Sequence, residues 1–214
     1  MDVYVSIVRF FQEGGLFMYP IMLVLALGIA IALERYVYLT VAKNNNRRLM
    51  NKILPMLKRG DFQGAFNATS KSGQAISQIL SYGLARMKTA KRRDDIEMAM
   101  EEGMMEVLPR LEKRTHYLAT FANIATLLGL LGTIIGLIRA FTAVSNADPS
   151  QKADLLSSSI SVAMNTTAFG LMVAIPLLLI YTVIQTKTTE IVDSLEMASV
   201  KFVNLITDKS TSSS

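Results

Sequence analysis

Asn165, Thr166 and Thr167 put three polar side chains near the middle of a 32-residue stretch, Leu155 to Thr186, that holds no Asp, Glu, Lys or Arg. Thr126 and Thr133 stand in a second charge-free stretch, Thr115 to Ile138. Unused polarity in such surroundings is expensive, roughly 2–7 kcal/mol for a hydroxyl or amide without a hydrogen bond in an apolar medium. The chemistry open to these groups is narrow. A neutral oxygen can accept a hydrogen bond from an acid or help ligate a hard cation such as sodium, but it cannot itself carry a proton relay. No Asp, Glu, Lys or Arg lies inside either stretch and none of their titrating groups stands at mid-span, so an ion path here needs a carboxylate supplied by a partner. The competing reading is structural: a threonine hydroxyl can bond back to the carbonyl one turn earlier and sit quietly in a helix. For Thr126 the two readings stand level, whereas Thr133, Thr166, Thr167 and Asn165 are read as ion-pathway residues because they concentrate polarity at depth.

Other chemistries lack material. The 214 residues contain no Cys and one histidine, His116, which removes disulfides, thiolate metal sites and a histidine-based triad. No nucleophile with a base, no phosphate-binding loop and no carboxylate pair beside a cavity can be traced. We therefore expect no enzyme, no catalytic residue, no metal site and no cofactor. A net charge of +5 could suggest nucleic acid. Lys91-Arg92-Arg93-Asp94-Asp95 is mixed in sign and has no interleaved aromatics, so it reads as a solvated helix start and nucleic acid is not expected.

The elements that position the threonines show themselves through small residues. Ala119, Ala122, Thr126, Gly129, Thr133, Gly136 and Ala140 recur at steps of three and four, as do Ser159, Ala163, Thr166, Gly170 and Ala174. Bulky residues occupy the other faces. Lipid gives helices little hydrophobic reason to associate, so stripes of this kind mark close backbone approach. Gly129, Gly132, Gly136 and Gly170 are accordingly read as packing residues. Pro176 joins that set as a residue that frees the Met172 carbonyl, a break tolerated where protein or water compensates. Thr133 is six residues inside Arg139, about 9 Å along a helix at ~1.5 Å per residue. Thr167 falls at a comparable depth, within about a turn.

Three charge-free windows emerge from the whole chain: Gly14 to Leu33, Thr115 to Ile138 and Leu155 to Thr186, of 20, 24 and 32 residues. Each suffices to cross a hydrocarbon layer ~30 Å thick, which takes ~20 apolar residues. The fold class is thus all-α membrane protein, with three transmembrane helices and long helical extensions. Fifteen of the 22 Lys and Arg fall between Val41 and Thr115. The positive-inside rule makes that segment cytoplasmic. The resulting organisation is an N-terminus outside the cytoplasm at 1–13, a first span at 14–40, a cytoplasmic helical domain at 41–114 and a second span at 115–141. A loop on the outer side at 142–154, a third span at 155–186 and a cytoplasmic helix and tail at 187–214 complete it. Leu16 to Leu33 ends in Glu34-Arg35 and not in small residues, so it reads as a retained span, with Arg35 reaching out to lipid phosphates.

In the charged segment helical periodicity dominates. A short helix over Arg47 to Leu57 is expected to break near Pro55, and Gly60-Asp61 to end it and start the next. Helices near Asp61 to Thr69 and Gln74 to Thr89 follow. A longer pattern from Asp94, with Ile96, Met100, Met104, Val107 and Leu111 on one face, either runs into the second span or bends at Pro109. Met98, Met100, Met104 and Met105 suit adaptable packing between copies of the chain. Ile191, Leu195, Ala198, Phe202 and Leu205 form a last amphipathic face, and the Ser-Thr-Ser-Ser-Ser ending is expected to fray.

Leu127-Leu128-Gly129-Leu130-Leu131-Gly132-Thr133-Ile134-Ile135-Gly136 resembles the Gly-Leu-x-Gly-Thr-Val-x-Gly signature of the MotA/TolQ/ExbB proton-channel family, and most closely its ExbB/TolQ branch. Thr166-Thr167-Ala168-Phe169-Gly170-Leu171-Met172-Val173-Ala174-Ile175-Pro176 is similar to that family's third-span motif. Gly14-Gly15, Met18-Tyr19-Pro20, Glu34-Arg35 and Gly60-Asp61 with Ala65 also match, in order. The resemblance implies a homo-oligomeric ring, usually of five copies, around the membrane helices of a dimeric ExbD/TolR-like partner that carries a membrane Asp. It further implies ion flow coupled to mechanical work on a TonB- or TolA-like periplasmic protein, with Thr133 and Thr167 as pore threonines. Two departures qualify it: Val162 stands where members often have Glu, and Thr126 where they often have Pro. Proton and sodium both remain open as the transported ion. The competing functions are a MotA-like flagellar or gliding stator, disfavoured by three spans where that branch has four, and a non-conducting membrane scaffold.

Overall fold

A turn at Gly14-Gly15, where Gly15 takes a φ of +73°, leads into helix α1 (Met18–Arg59). The computed structural model describes residues 10, 14–87, 89–90 and 92–211, with side chains to 207. The reading of 1–13, Phe10 apart, and the Ser212 to Ser214 end of the frayed tail lie outside those residues. After α1 come α2 (Phe62–Ser70), α3 (Ala75–Arg86), α4 (Arg93–Glu112), α5 (Thr115–Ser145) and α6 (Lys152–Thr211), with no strand among the described residues.

Local chemistry accounts for the helix ends. Gly60 closes α1 with a φ of +83°, a conformation that glycine adopts without strain. The amides of Gly60 and Asp61 reach back to the carbonyls of Leu57 and Met56, both at 3.0 Å, which is a Schellman ending. Asp61 then caps α2 by accepting from the Gly64 amide at 2.8 Å. The expected interruption at Pro55 is absent, because α1 runs straight through it. The ring sits on an exposed face, where water can serve the carbonyl that loses its donor. Pro109 likewise lies exposed within α4. The chain breaks instead at Lys113-Arg114, where Arg114 adopts a left-handed φ of +64°.

The chain divides into two compact units. One comprises the described residues of Glu34–Lys113 and Ile184–Ser214. Its core holds Ile53, Leu57, Ile79, Leu80, Leu111, Ile191 and Phe202, all fully buried. At Gly83 a methyl group would stand 2.8 Å from Met100 Cγ and 2.9 Å from Phe202 Cε1, so α3 packs close against α4 and α6. Arg35 departs from expectation. It is only 3% exposed, donates to the Leu111 carbonyl and lies 4.7 Å from the Tyr38 ring centroid. It does not snorkel, because the last carbonyls of α4 have no helical partner and their partial negative charge attracts a guanidinium. Elsewhere in this unit Lys187 Nζ donates to Thr40 Oγ1 at 2.6 Å, and Lys43 pairs with Glu190 at 2.6 Å.

The other unit comprises the described residues of Met1–Leu33 with Arg114–Val183. Its interior is made by Met18, Ile21, Leu118, Ala122, Ala125, Val173 and Leu177. Leu23, Leu127, Ile134 and Leu179 point outward, each more than half exposed. A surface this apolar is not one that water wets readily. Among the described residues three helical stretches, within Met18–Arg59, Arg93–Ser145 and Lys152–Thr207, are long and apolar enough to cross a membrane.

Candidate functional site

The seam between α5 and α6 is made almost entirely of backbone. A methyl group on Gly129 would lie 3.2 Å from Thr167 Cα, and one on Gly170 would lie 2.6 Å from the Ala125 carbonyl oxygen. Gly136 faces Ala163, whose Cβ would be 2.8 Å from an added methyl. Gly132 faces the methyl of Thr166, with Phe17 Cβ 3.4 Å away. The helices pack this tightly because neither carries side-chain volume along the seam. On α5 the buried line is Leu118, Ala122, Ala125, Gly129 and Gly132. It is turned slightly from the expected stripe: Ala125 and Gly132 are inside, while Ala119 and Thr126 are half-buried. The buried residues of α5 and the expected stripe both follow steps of three and four and share Ala122, Gly129 and the fully buried Ala140, so spacing alone could not choose between them. Pro176 stands outside the seam on the exposed face of α6, next to the fully buried Leu177. It is not part of the buried α5–α6 contact, and α6 passes through it without ending.

This close approach brings two threonines together. Thr133 Oγ1 and Thr167 Oγ1 hydrogen-bond directly to each other across the seam. Thr167 Oγ1 also lies 2.9 Å from the Gly129 carbonyl oxygen, and Thr133 Oγ1 lies 3.3 Å from the same oxygen and 3.4 Å from that of Ala163. Each hydroxyl has one proton. If Thr167 donates to Gly129, Thr133 can donate to Thr167 and keeps its own lone pairs free; the reverse order frees those of Thr167. In either arrangement the pair offers a neutral acceptor. Both residues are half-buried, which places the pair at the edge of the seam and within reach of an outside group.

The other candidates do not join the pair. Thr166 is 2% exposed and donates to the Gly14 carbonyl at 2.6 Å, with the Val162 carbonyl at 3.0 Å. One residue before Thr167 on a helix is ~100° away around the axis, so its hydroxyl serves the N-terminal turn. Thr126 bonds back to the Ala122 carbonyl at 3.1 Å within its own helix. Asn165 is half-buried. The role of the Gly14 carbonyl as the acceptor for Thr166 went unrecognised in the sequence, and only the Gly14-Gly15 pair hinted at a turn there. Val162 is half-buried, close to Gly15, and lines a recess of about 120 Å³ together with Arg139 and Ser159. Among the described residues no group of three or more His, Cys, Asp or Glu could hold a metal ion.

The family described as the MotA/TolQ/ExbB proton channel family matches residues 71–197, a stretch that contains the whole α5–α6 seam. The chain belongs to that family. A biopolymer transport protein ExbB homolog of Methanothermobacter thermautotrophicus is 30% identical over 198 residues, 90% of this chain and 67% of that protein. An ExbB-like biopolymer transport protein of Synechocystis is 29% identical over 169 residues, covering 78% of this chain and 80% of its own. The Tol-Pal system protein TolQ of Haemophilus influenzae is 36% identical over 83 residues, 39% of this chain and 36% of that protein. Membership in the MotA/TolQ/ExbB family accords with three apolar spans and with relatives named for biopolymer transport.

Proposed function

We propose that this chain is the ExbB/TolQ-like stator subunit of an ion-driven inner-membrane motor. Copies of it, five in the family's usual arrangement, form a ring whose second and third spans surround the membrane helices of an ExbD/TolR-like dimer. The Asp on each partner helix takes up and releases the ion beside Thr133 and Thr167, and the resulting movement works on a TonB- or TolA-like periplasmic protein. The N-terminus is periplasmic and the C-terminus cytoplasmic, as the concentration of Lys and Arg between Val41 and Thr115 favours. No catalytic residue and no cofactor is assigned; H⁺ or Na⁺ is cargo.

The observation that carries the reading is the Thr133–Thr167 hydroxyl pair in spans that lack any carboxylate. A neutral acceptor can steady a partner's protonated Asp without competing for its proton. Proton is the favoured ion; oxygen-rich coordination keeps sodium as the alternative. Partner-dependent transport in sodium-free medium at a fixed proton gradient separates them: unchanged activity removes sodium, and its loss removes proton.

A second reading has its own support. Every hydroxyl of Thr126, Thr133, Thr166 and Thr167 reaches a backbone carbonyl within the chain, as in a scaffold that only packs helices. Such a scaffold would tolerate loss of the hydroxyls at Thr133 and Thr167.

A further inference from the structure

The unit formed by Glu34–Lys113 with Ile184–Ser214 contains a cavity of about 200 Å³ beside the start of α3, lined by Tyr38, Asn46, Gln74, Gln78 and Arg110 among others. That is several times the ~30 Å³ a water molecule takes up. Its polar groups are the carboxamides of Asn45, Asn46, Gln74 and Gln78, the Tyr38 hydroxyl and the Arg110 guanidinium. Gln74, the residue before α3, makes no side-chain cap bond, and the first-turn amides of α3 carry the positive end of the helix dipole. One of them, the Ile76 amide, donates to Asn46 Oδ1 at 3.3 Å, which fixes the Asn46 carboxamide at the helix N-terminus. Asn46 is only 6% exposed, and its Nδ2 donor has no hydrogen-bond partner. A buried donor left in that state is destabilising, and a bound acceptor removes the penalty.

Among the described residues Arg110 is the one formally charged residue in the lining, which holds no Asp or Glu. Arg110 is itself paired with Glu106 at 3.1 Å, and the Tyr82 hydroxyl donates to the same carboxylate at 2.9 Å, so the guanidinium keeps only its remaining N–H donors for an occupant. Against the donors stands a single orphan acceptor, the buried Gln74 Oε1. An occupant that serves all of these groups accepts several hydrogen bonds and also gives one.

We propose that this cavity binds a phosphate monoester, whose oxygens take the donors of Asn46, the first turn of α3 and Arg110 while its remaining hydroxyl donates to Gln74. A monoester with a second pKa near 6 keeps such a hydroxyl in part of its population at neutral pH. Free phosphate compounds and a phosphatidic acid headgroup share this chemistry. The cavity belongs to the unit that does not contain the threonine pair, so its test is independent of the motor reading.

The test is calorimetric titration of the full-length chain in detergent with inorganic phosphate and, separately, with dihexanoyl phosphatidic acid. Asn46→Asp is the decisive variant, since its carboxylate still accepts from Ile76 but replaces the free donor with a negative oxygen. Saturable binding of either probe, weakened at least tenfold by Asn46→Asp and severalfold by Arg110→Gln with the melting temperature of Asn46→Asp unchanged, is expected. Binding of phosphatidic acid alone assigns the source to lipid, and binding of inorganic phosphate assigns it to a free compound. No binding of either probe at millimolar concentration, or equal binding by Asn46→Asp, overturns the proposal.

Discussion

Gly170 and Ala125 meet backbone to backbone: a methyl group on Gly170 would stand 2.6 Å from the Ala125 carbonyl oxygen. Neither partner is a flexible side chain, so relief requires α5 and α6 to move apart. Gly170→Ala is expected to destabilise the fold by about 1–3 kcal/mol, the usual range for overpacking. Gly73→Ala is the control, because a methyl there meets nothing within 4 Å, and it should stay within ~0.5 kcal/mol of wild type. Thermal unfolding in detergent, followed by circular dichroism, orders the two.

Thr166 tests how neighbours with the same side chain differ. Its hydroxyl holds the Gly14 carbonyl at 2.6 Å. Thr166→Val should lower stability by ~0.5–1.5 kcal/mol through that lost bond, while the folded fraction keeps its ion-coupled activity. Activity normalised to folded protein is the measurement, and a selective loss of activity would place Thr166 in the ion path after all.

Arg35→Met removes a cation from the end of α4. Leu111 loses its charge-assisted partner, a change worth about 1.5–3 kcal/mol. Arg35→Lys keeps the charge but loses the planar donor array, and should recover part of the loss. Amide exchange near Lys113 reports whether α4 frays as expected.

Glu190 gives the expected acid response. Its hydrogen bond to Lys43, and then the charge of that ammonium, hold the carboxyl below its usual value. A lowered carboxyl pKa in the folded state stabilises above the unfolded value of about 4.3, and that contribution fades as pH falls through the lower folded one. Both partners are about half exposed, so the effect is small and salt weakens it. Melting curves between about pH 6 and 3 should show a slightly gentler acid decline for Glu190→Gln at low salt, and no difference from wild type at 1 M salt.

Much of this fold could be read from the chain because charge and small residues follow helical spacing. The caps at Gly60 and Asp61, and the near contact of the Thr133 and Thr167 helices, follow from residue type. What escaped the reading depends on rotation and partners. Arg35 looks like any interfacial arginine until the end of α4 is known to lie beside it. Thr166 and Thr167 are adjacent in sequence, yet ~100° of helix rotation sends one to Gly14 and the other to Thr133. Pro55, Pro109 and Pro176 promised breaks, but α1, α4 and α6 run through them; Pro55 and Pro109 sit on exposed faces of the charged segment, where water can serve the carbonyl that loses its donor.

The central claim is that the hydroxyls of Thr133 and Thr167 act on an ion and do more than pack. Ion flux should be measured in vesicles that hold the chain with its ExbD/TolR-like partner, comparing wild type with Thr133→Val and Thr167→Val. Shape is nearly kept in both variants while the acceptor is lost. We predict normal assembly and at least a tenfold loss of partner-dependent flux in each, roughly 1.4 kcal/mol or more on the rate-limiting step. Normal assembly with undiminished flux would contradict the account.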